Sequence, residues 1–279
     1  MTFRPMSIRG VIRLHERHVR TTSEELIMLL TDKTAIVYGA GGSIGGAVAR
    51  AFAEQGARVH LVGRTRRTLE AVAADIKDAE VAVVDALDEA AVEAHAERVG
   101  DIDISINLVT RGDVQGAPLV DMPAEDFLRP VTDGLRANFL TARAAGRRMA
   151  ARGSGVILAL NSGSAHGSPM MGGTGPADGA IDTLVRNLAI ELGPSGVRAV
   201  GLWVAGVPET FTVEKLAAVN PAIDESAVQG IVEHLAGMRL TRRNPTLAEV
   251  AATAVFLASD HAGGITGTFV NATGGMVSV

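Results

Sequence analysis

The glycine run that decides the fold reads Tyr38-Gly39-Ala40-Gly41-Gly42-Ser43-Ile44-Gly45-Gly46. It follows an apolar segment of strand length and precedes a segment with helical periodicity. Glycines at such a junction allow a tight turn, and the backbone N–H groups at the helix N-terminus can then bind a phosphate. The run therefore predicts a dinucleotide-binding turn, with a purely structural strand-to-helix turn as the alternative.

Apolar segments of strand length alternate with longer helix-like segments from residue 34 onward, a pattern typical of βαβ units around a parallel sheet. The predicted strands are Ala35–Tyr38, Val59–Val62, Val81–Val84, Ile104–Leu108, Val156–Leu160, Ala199–Val204 and Thr268–Asn271. The predicted helices are Ile44–Gln55, Arg67–Ile76, Glu89–Val99, Phe127–Arg152, Ala180–Leu192 and Leu247–Leu257. Residues 161–175, rich in Gly and Ser, and residues 209–239 are predicted as loops, the second covering the substrate.

This alternation predicts an α/β fold: a single doubly wound Rossmann-type domain over residues 33–279. Its sheet should have seven mostly parallel strands, with helices on both faces. An N-terminal extension over residues 1–32 should precede the domain.

The composition excludes several classes of protein. A net charge of −5 leaves no basic surface for nucleic acid, and no apolar run reaches the ~20 residues that a membrane span needs. Cysteine is absent, which excludes disulfides and thiolate catalysis and is typical of a reducing compartment. No histidine has a partner at metal-ligand spacing. We expect a cytoplasmic protein that acts on a small molecule and has no metal, nucleic-acid or membrane partner.

At the glycine run the chain resembles the short-chain dehydrogenase/reductase family, whose TGxxxGxG pattern falls on residues 38–45. Gly39 and Gly45 match, whereas Tyr38 and Ser43 replace the Thr and the middle Gly. Altered forms of the family's other motifs follow as far as residue 279. The resemblance implies an NAD(P)-binding domain whose cofactor residues are Gly39, Gly41, Ser43, Ile44, Gly45, Arg64, Asp85, Ala86, Asn107, Gly206 and Thr210.

The end of the second predicted strand bears on the choice of dinucleotide. A carboxylate is expected there when the adenosine ribose keeps a free 2′-hydroxyl. Gly63 occupies that position instead, and Arg64 follows it. Because a guanidinium suits a 2′-phosphate by charge and by fork geometry, we predict NADP(H) in preference to NAD(H).

The resemblance also implies a catalytic tetrad of Asn, Ser, Tyr and Lys, of which only Ser162 is retained. The Asn position falls on Gly134, and the Tyr and Lys positions fall on Thr174 and Asp178. A shift of the alignment by one residue, to positions 175 and 179, restores neither side chain. The tetrad is therefore predicted to be degenerate.

Two consequences follow for the chemistry. A carboxylate at the lysine position favours the cationic oxidised nicotinamide, so any bound cofactor should be preferentially NADP⁺. His166 lies four residues after Ser162 and is a candidate replacement for the missing acid, because imidazole titrates near neutral pH. The alternative is that His166 is an ordinary loop residue facing solvent.

Three functions are consistent with these features. The first is an atypical NADP(H)-dependent oxidoreductase that acts on a small or medium carbonyl or alcohol, with Ser162 and His166 as the catalytic residues. The second is a catalytically silent dinucleotide-binding or partner subunit, and the third is a non-redox dehydratase, isomerase or cyclase. The resemblance further implies a homodimer or homotetramer that packs through the two longest predicted helices.

Overall fold

A computed structural model of the protein describes residues 28–214 and 223–277. Its seven strands are β1 (Thr34–Tyr38), β2 (Arg58–Gly63), β3 (Glu80–Val83), β4 (Ile104–Asn107), β5 (Gly155–Asn161), β6 (Val197–Trp203) and β7 (Phe269–Asn271). They form one sheet in the order β3-β2-β1-β4-β5-β6-β7, and all six pairings are parallel. The predicted doubly wound α/β fold is confirmed.

Seven α-helices lie within the described residues. They are α1 (Ser43–Glu54), α2 (Arg66–Ala73), α3 (Glu89–Val99), α4 (Ala124–Arg152), α5 (Thr174–Leu192), α6 (Glu225–Met238) and α7 (Leu247–Ala258). Helices α1, α2 and α7 share one hydrophobic cluster with the sheet, and α3, α4 and α5 share the other. Successive β1 residues alternate between the clusters, since Ile36 belongs to one and Val37 to the other. Both faces of the sheet are therefore covered, as buried parallel strands require.

The structure differs from the sequence-based prediction in two segments that were predicted as loops. Within residues 161–175, residues 164–166 form a single 3-10 turn, and α5 already begins at Thr174. Its glycine-rich start has low helix propensity but packs closely on α4, where a Cβ added to Gly173 would lie 1.9 Å from the carbonyl oxygen of Phe127. Within residues 209–239, α6 begins after Asp224, whose side chain accepts a hydrogen bond from the N–H of Ala227 at 2.9 Å.

The end of the predicted extension packs against the domain. Leu30 is completely buried in the cluster beneath α1. The backbone N–H of Leu30 donates to the carbonyl oxygen of Gln55, and that of Leu29 donates to the Gln55 side chain. Residues 1–27 of the predicted extension lie outside the described residues.

The parallel register brings the functional segments to one edge of the sheet. Tyr38 pairs with Asn107 across β1 and β4, and Asn161 pairs with Trp203 across β5 and β6. The glycine turn and Ser162 each follow the carboxyl end of such a strand. Ligands of open α/β sheets bind at this edge.

Candidate functional site

A cleft of about 190 Å³ opens at the glycine turn, between the carboxyl ends of β1, β2, β3 and β4. Among the predicted cofactor residues, those that line it are Gly39, Gly41, Arg64, Asp85 and Ala86. A second cleft of about 230 Å³ shares Arg64 and Asp85 with the first and continues toward α4. Among the described residues, the exposed Arg64 makes no ion pair, so its guanidinium is available to an anion in either cleft.

The backbone of the glycine turn fits a phosphate-binding loop. Gly39 has a φ of +81°, and a Cβ there would lie 2.5 Å from the carbonyl oxygen of Leu108. A Cβ at Gly45 would lie 2.2 Å from the carbonyl oxygen of Gly39. Ser43 is the first residue of α1, and Ile44 packs against the core. The glycines are therefore required by close backbone approach, which leaves the N-terminus of α1 facing the cleft.

The remaining predicted cofactor residues hold neighbouring turns. The Asn107 side chain donates to Thr141 Oγ1 at 3.0 Å and accepts from the backbone N–H of Val109 at 3.1 Å, which ties the end of β4 to α4. Gly206 has a φ of +57°, and the Thr210 hydroxyl donates to the carbonyl oxygen of Val207 at 2.7 Å. The first cleft is not lined by these three predicted residues.

Asp178, at the lysine position of the tetrad, is the centre of a hydrogen-bond network. Its side chain is completely buried. The carboxylate oxygen Oδ2 accepts from the Ser162 hydroxyl at 2.6 Å and from the backbone N–H groups of Ser162 and Ser164 at 3.1 and 2.9 Å. The other oxygen, Oδ1, accepts from Arg111 Nη1 at 2.7 Å. The buried carboxylate is therefore paired and fully hydrogen-bonded, as burial of a charge requires.

Arg111, in the loop after β4, is the cation that pairs with Asp178 at the predicted lysine position. Its guanidinium also donates to both carboxylate oxygens of Asp113, at 3.1 and 3.3 Å. Burial lowers the pKa of Arg111, but the two carboxylates Asp113 and Asp178 outweigh burial and raise the pKa overall. The aliphatic stem of Arg111 lies over Gly134, where an added Cβ would be 2.5 Å from Arg111 Cδ.

Thr174, at the tyrosine position, belongs to the same network. It is 1% exposed, and its hydroxyl donates to Asp113 Oδ1 at 2.8 Å. Gln115 Nε2 donates to the same hydroxyl at 3.4 Å. The three positions that are predicted to lack tetrad residues therefore all contact one loop: Gly134 makes room for Arg111, Thr174 binds Asp113, and Asp178 pairs with Arg111.

Sequence reasoning missed Arg111 and Asp113. The one available signal was the reversal of charge at position 178, because a buried aspartate in place of a lysine needs a cation from elsewhere. Position 111 directly follows the altered NNAG segment, which ends at the site. The chain separates Arg111 from Asp178 by 67 residues, so the pairing becomes visible only in the fold.

His166 lies at the exposed rim of the site. Its ring is edge-on to Trp203 with 4.8 Å between centroids, and Trp203 stacks on Phe269 at 5.9 Å. The described partners of the Ser162 hydroxyl are Asp178 and Ser164, at 2.6 and 2.7 Å. The proposed acid role of His166 stays a prediction, and Trp203, which is 7% exposed, is a packing residue.

A buried arginine that the sequence did not indicate fixes the turn after β6. Arg239 is 1% exposed and donates to the carbonyl oxygens of Ala205 and Gly206 at 2.7 and 2.8 Å, and also to that of Thr273. Burial lowers its pKa. Arg239 therefore joins the Gly206 turn to the segment after β7.

The single tyrosine lines the first cleft at the end of β1, but its side chain belongs to the core and not to the Asp178 network. Tyr38 is buried beneath α3, edge-on to His95 with ring centroids 6.4 Å apart, and its hydroxyl has no hydrogen-bond partner among the described residues. Burial, followed by the charge of Glu93, raises its pKa. Within the same described ranges, no cluster of His, Asp and Glu could hold a metal ion, and no helix is long and apolar enough to cross a membrane.

Comparisons with known proteins agree with the fold. A family model described as enoyl-(acyl carrier protein) reductase matches residues 39–277. The L-rhamnose 1-dehydrogenase (NAD(P)(+)) of Azotobacter vinelandii is 33% identical over 269 residues, which cover 89% of this chain and 98% of that protein. The short-chain reductase protein NovJ of Streptomyces niveus is 32% identical over 262 residues, which cover 88% of this chain and 94% of that protein.

A solved structure extends the similarity to the fold. It is a gluconate 5-dehydrogenase from Burkholderia cenocepacia in complex with NADP and tartrate, and it is 26% identical with a TM-score of 0.77. The similarity covers 91% of this chain and 98% of that one.

Proposed function

The chain belongs to the short-chain dehydrogenase/reductase family, and the relatives that show this are named dehydrogenases and reductases; from this premise we propose that it is an oxidoreductase that uses NADP(H) in preference to NAD(H). Its substrate is a small or medium carbonyl or alcohol. The observation that carries the preference is the exposed Arg64, which lines the cleft. The neighbouring Gly63 stands where a carboxylate would repel a 2′-phosphate. The related gluconate 5-dehydrogenase was solved with NADP and a related xylitol dehydrogenase with NAD⁺, which supports dinucleotide binding and leaves the preference to Arg64.

The residues of the cleft divide the binding tasks. The turn at Gly39 and Gly41 and the N-terminus of α1 bind the pyrophosphate. Arg64 binds the 2′-phosphate, and Asp85 holds the adenine, its carboxylate oriented by the backbone N–H of Leu87 at 3.0 Å. Bound NADP(H) supplies the hydride acceptor or donor. Ser162 binds the substrate oxygen, and His166 at the rim exchanges protons with solvent.

The experiment is a titration of the protein with NADP⁺, NADPH and NAD⁺, followed by Trp203 fluorescence and calorimetry. We expect Arg64→Ala to weaken NADP⁺ binding by about 10-fold or more and to leave NAD⁺ binding unchanged, since a charge-assisted hydrogen bond contributes about 1.5–3 kcal/mol. Arg66→Ala is the matched control, because Arg66 is exposed and pairs with Glu70. Equal loss in both variants, or none in Arg64→Ala, would contradict the proposed role of Arg64.

The Arg111 network favours a second candidate, a dinucleotide-binding subunit without catalysis. The network uses the protons of Ser162 and Thr174 internally, so neither hydroxyl has a hydrogen left for a substrate carbonyl. A panel of ketones with NADPH and of secondary alcohols with NADP⁺ separates the two candidates. Tight NADP(H) binding without turnover of any compound would favour the silent subunit.

A further inference from the structure

The direction of the Ser162 hydrogen bond determines which substrate the site can bind. A serine hydroxyl has one hydrogen to donate and two lone pairs that accept. The Ser162 hydrogen goes to Asp178 Oδ2 at 2.6 Å, because a carboxylate oxygen can only accept. The other close partner, Ser164 Oγ at 2.7 Å, must then donate its own hydrogen to Ser162. One lone pair of Ser162 remains for a ligand.

Asp178 holds this arrangement in place from several sides. Its Oδ2 also accepts the backbone N–H groups of Ser162 and Ser164, and Arg111 neutralises Oδ1 at 2.7 Å. Asp113 accepts hydrogen bonds from the other side of the Arg111 guanidinium. The nearby carboxylate of Asp182, one turn along α5, accepts from Asn161 and Trp203 and not from Ser162. The carboxylate is completely buried, so rotation of Ser162 away from it would leave a buried charge short of a donor.

We infer that Ser162 faces the substrate as a hydrogen-bond acceptor and that the site therefore selects a secondary alcohol over the corresponding ketone. This inference rests on the proposed oxidoreductase function and specifies its substrate class. An alcohol donates its hydroxyl hydrogen to Ser162, whereas a ketone brings a second acceptor against the Ser162 lone pair. Asp178 is a positioning residue that fixes this polarity.

The corresponding reaction is the oxidation of the alcohol by the oxidised dinucleotide. The carbinol C–H bond breaks and its electron pair leaves with the hydrogen as hydride to the dinucleotide. The hydroxyl O–H bond breaks and the proton goes to water. The products are a ketone, the reduced dinucleotide and one proton, so atoms and electrons balance.

Affinity, not rate, is the appropriate readout, because the overall equilibrium constrains the ratio of forward and reverse rates. The protein is saturated with 1,4,5,6-tetrahydro-NADP, a redox-inactive analogue, and titrated calorimetrically with three matched pairs: cyclohexanol and cyclohexanone, butan-2-ol and butanone, and xylitol and xylulose. We expect the alcohol of at least one pair to bind about 10-fold or more tightly than its ketone, as an unmatched acceptor pair costs about 1–3 kcal/mol.

Two variants test the residues, and one serves as a control. Ser162→Ala should bring the alcohol-to-ketone affinity ratio close to one, because the acceptor is gone. Asp178→Ala should lower the same ratio by releasing the Ser162 hydrogen, an effect that a merely structural role would not produce. Ser164→Ala should keep the ratio, since Ser162 still donates to Asp178.

Each remaining outcome overturns the inference. Tighter binding of the ketones, equal binding within all pairs, or no binding of any compound would do so, as would an unchanged ratio in Ser162→Ala. Turnover of the ketones with NADPH then tells the two failures apart. If the ketones react, the proposed oxidoreductase function stands without the alcohol preference; if no compound of the panel reacts in either direction, both fail.

Discussion

Gly134 is the residue that leaves space for the Arg111 side chain. It lies inside α4, where alanine would normally be favoured over glycine by about 1 kcal/mol. An added Cβ would be 2.5 Å from Arg111 Cδ, and that side chain cannot move aside because Asp113 and Asp178 hold its guanidinium. The position is therefore restricted by a neighbour from another segment rather than by its own backbone.

We predict that Gly134→Ala destabilises the protein by about 1–3 kcal/mol, the usual range for overpacking. Gly230→Ala is the matched control, since Gly230 also lies inside a helix, α6, and a Cβ there meets no neighbouring atom within 4 Å. The control should be neutral or stabilising by up to about 1 kcal/mol. Urea unfolding measures both, and a stabilised Gly134→Ala variant would show that Arg111 is not held as described.

The residues of the cofactor turn could be predicted from the sequence, but those of the catalytic network could not. Gly39 and Gly45 lie in one continuous run, and their spacing is enough to predict the turn between β1 and α1. Arg111 and Asp178 lie 67 residues apart, on a loop and a helix whose proximity depends on the whole sheet order. The sequence predicts that three tetrad residues are missing, whereas only the fold shows which side chains contact the residues in their place.

At the scale of elements, α3 buries polar rings against the sheet. His95 is 2% exposed, lies 6.0 Å from the ring of His60 and has no partner for Nδ1 among the described residues. Burial, and then the charges of His60 and Arg98, lower the pKa of His95 to about 4. Burial also lowers the pKa of His60, against the opposing charge of Glu80.

This cluster predicts a loss of stability in acid. The unfolded chain takes up protons at histidine near pH ~6.5, while folded His95 does so only near pH 4, so stability is complete above pH ~6.5 and falls as the pH decreases toward 4. His95→Leu should make this fall smaller, measured by urea unfolding at a series of pH values. His261→Leu, at an exposed histidine outside the cluster, is the control. An unchanged pH dependence in His95→Leu would contradict the assignment.

The elements themselves were predictable where apolar periodicity was strong. All seven strands and five of the six predicted helices appear within about three residues of their predicted bounds, because buried parallel strands are almost continuously apolar. The start of α5 was missed because glycines have a low helix propensity. The close contact with α4, which favours glycine there, is visible only in the fold. Helix α6 was missed because none of its residues is fully buried, which weakens the amphipathic pattern.

At the scale of the whole molecule, α4 and α5 lie together on one face of the sheet and leave large apolar side chains uncovered. Ile190 on α5 is 73% exposed, and Leu128 and Phe139 on α4 are 51% and 44% exposed. We propose that this face joins copies of the chain into a homodimer or homotetramer.

We expect Ile190→Asp to shift the protein toward the monomer in sedimentation velocity, because a charge would be buried in the interface. Val83→Asp is the matched control. Val83 is 47% exposed but lies on the edge strand β3, far along the sheet from α5, where a charge is readily tolerated. A monomeric unmodified protein, or dissociation caused equally by Val83→Asp, would contradict this interface.

The Arg111 network also limits how this site can evolve. Asn at 134 would strike the Arg111 stem, and Lys at 178 would put two cations together. Tyr at 174 would overfill a buried position and remove the hydrogen bond that Thr174 donates to Asp113. Each single reversion toward the family tetrad is therefore harmful by itself, and the effects are not additive. We therefore expect a designed tetrad to require exchange of the loop together with the three positions.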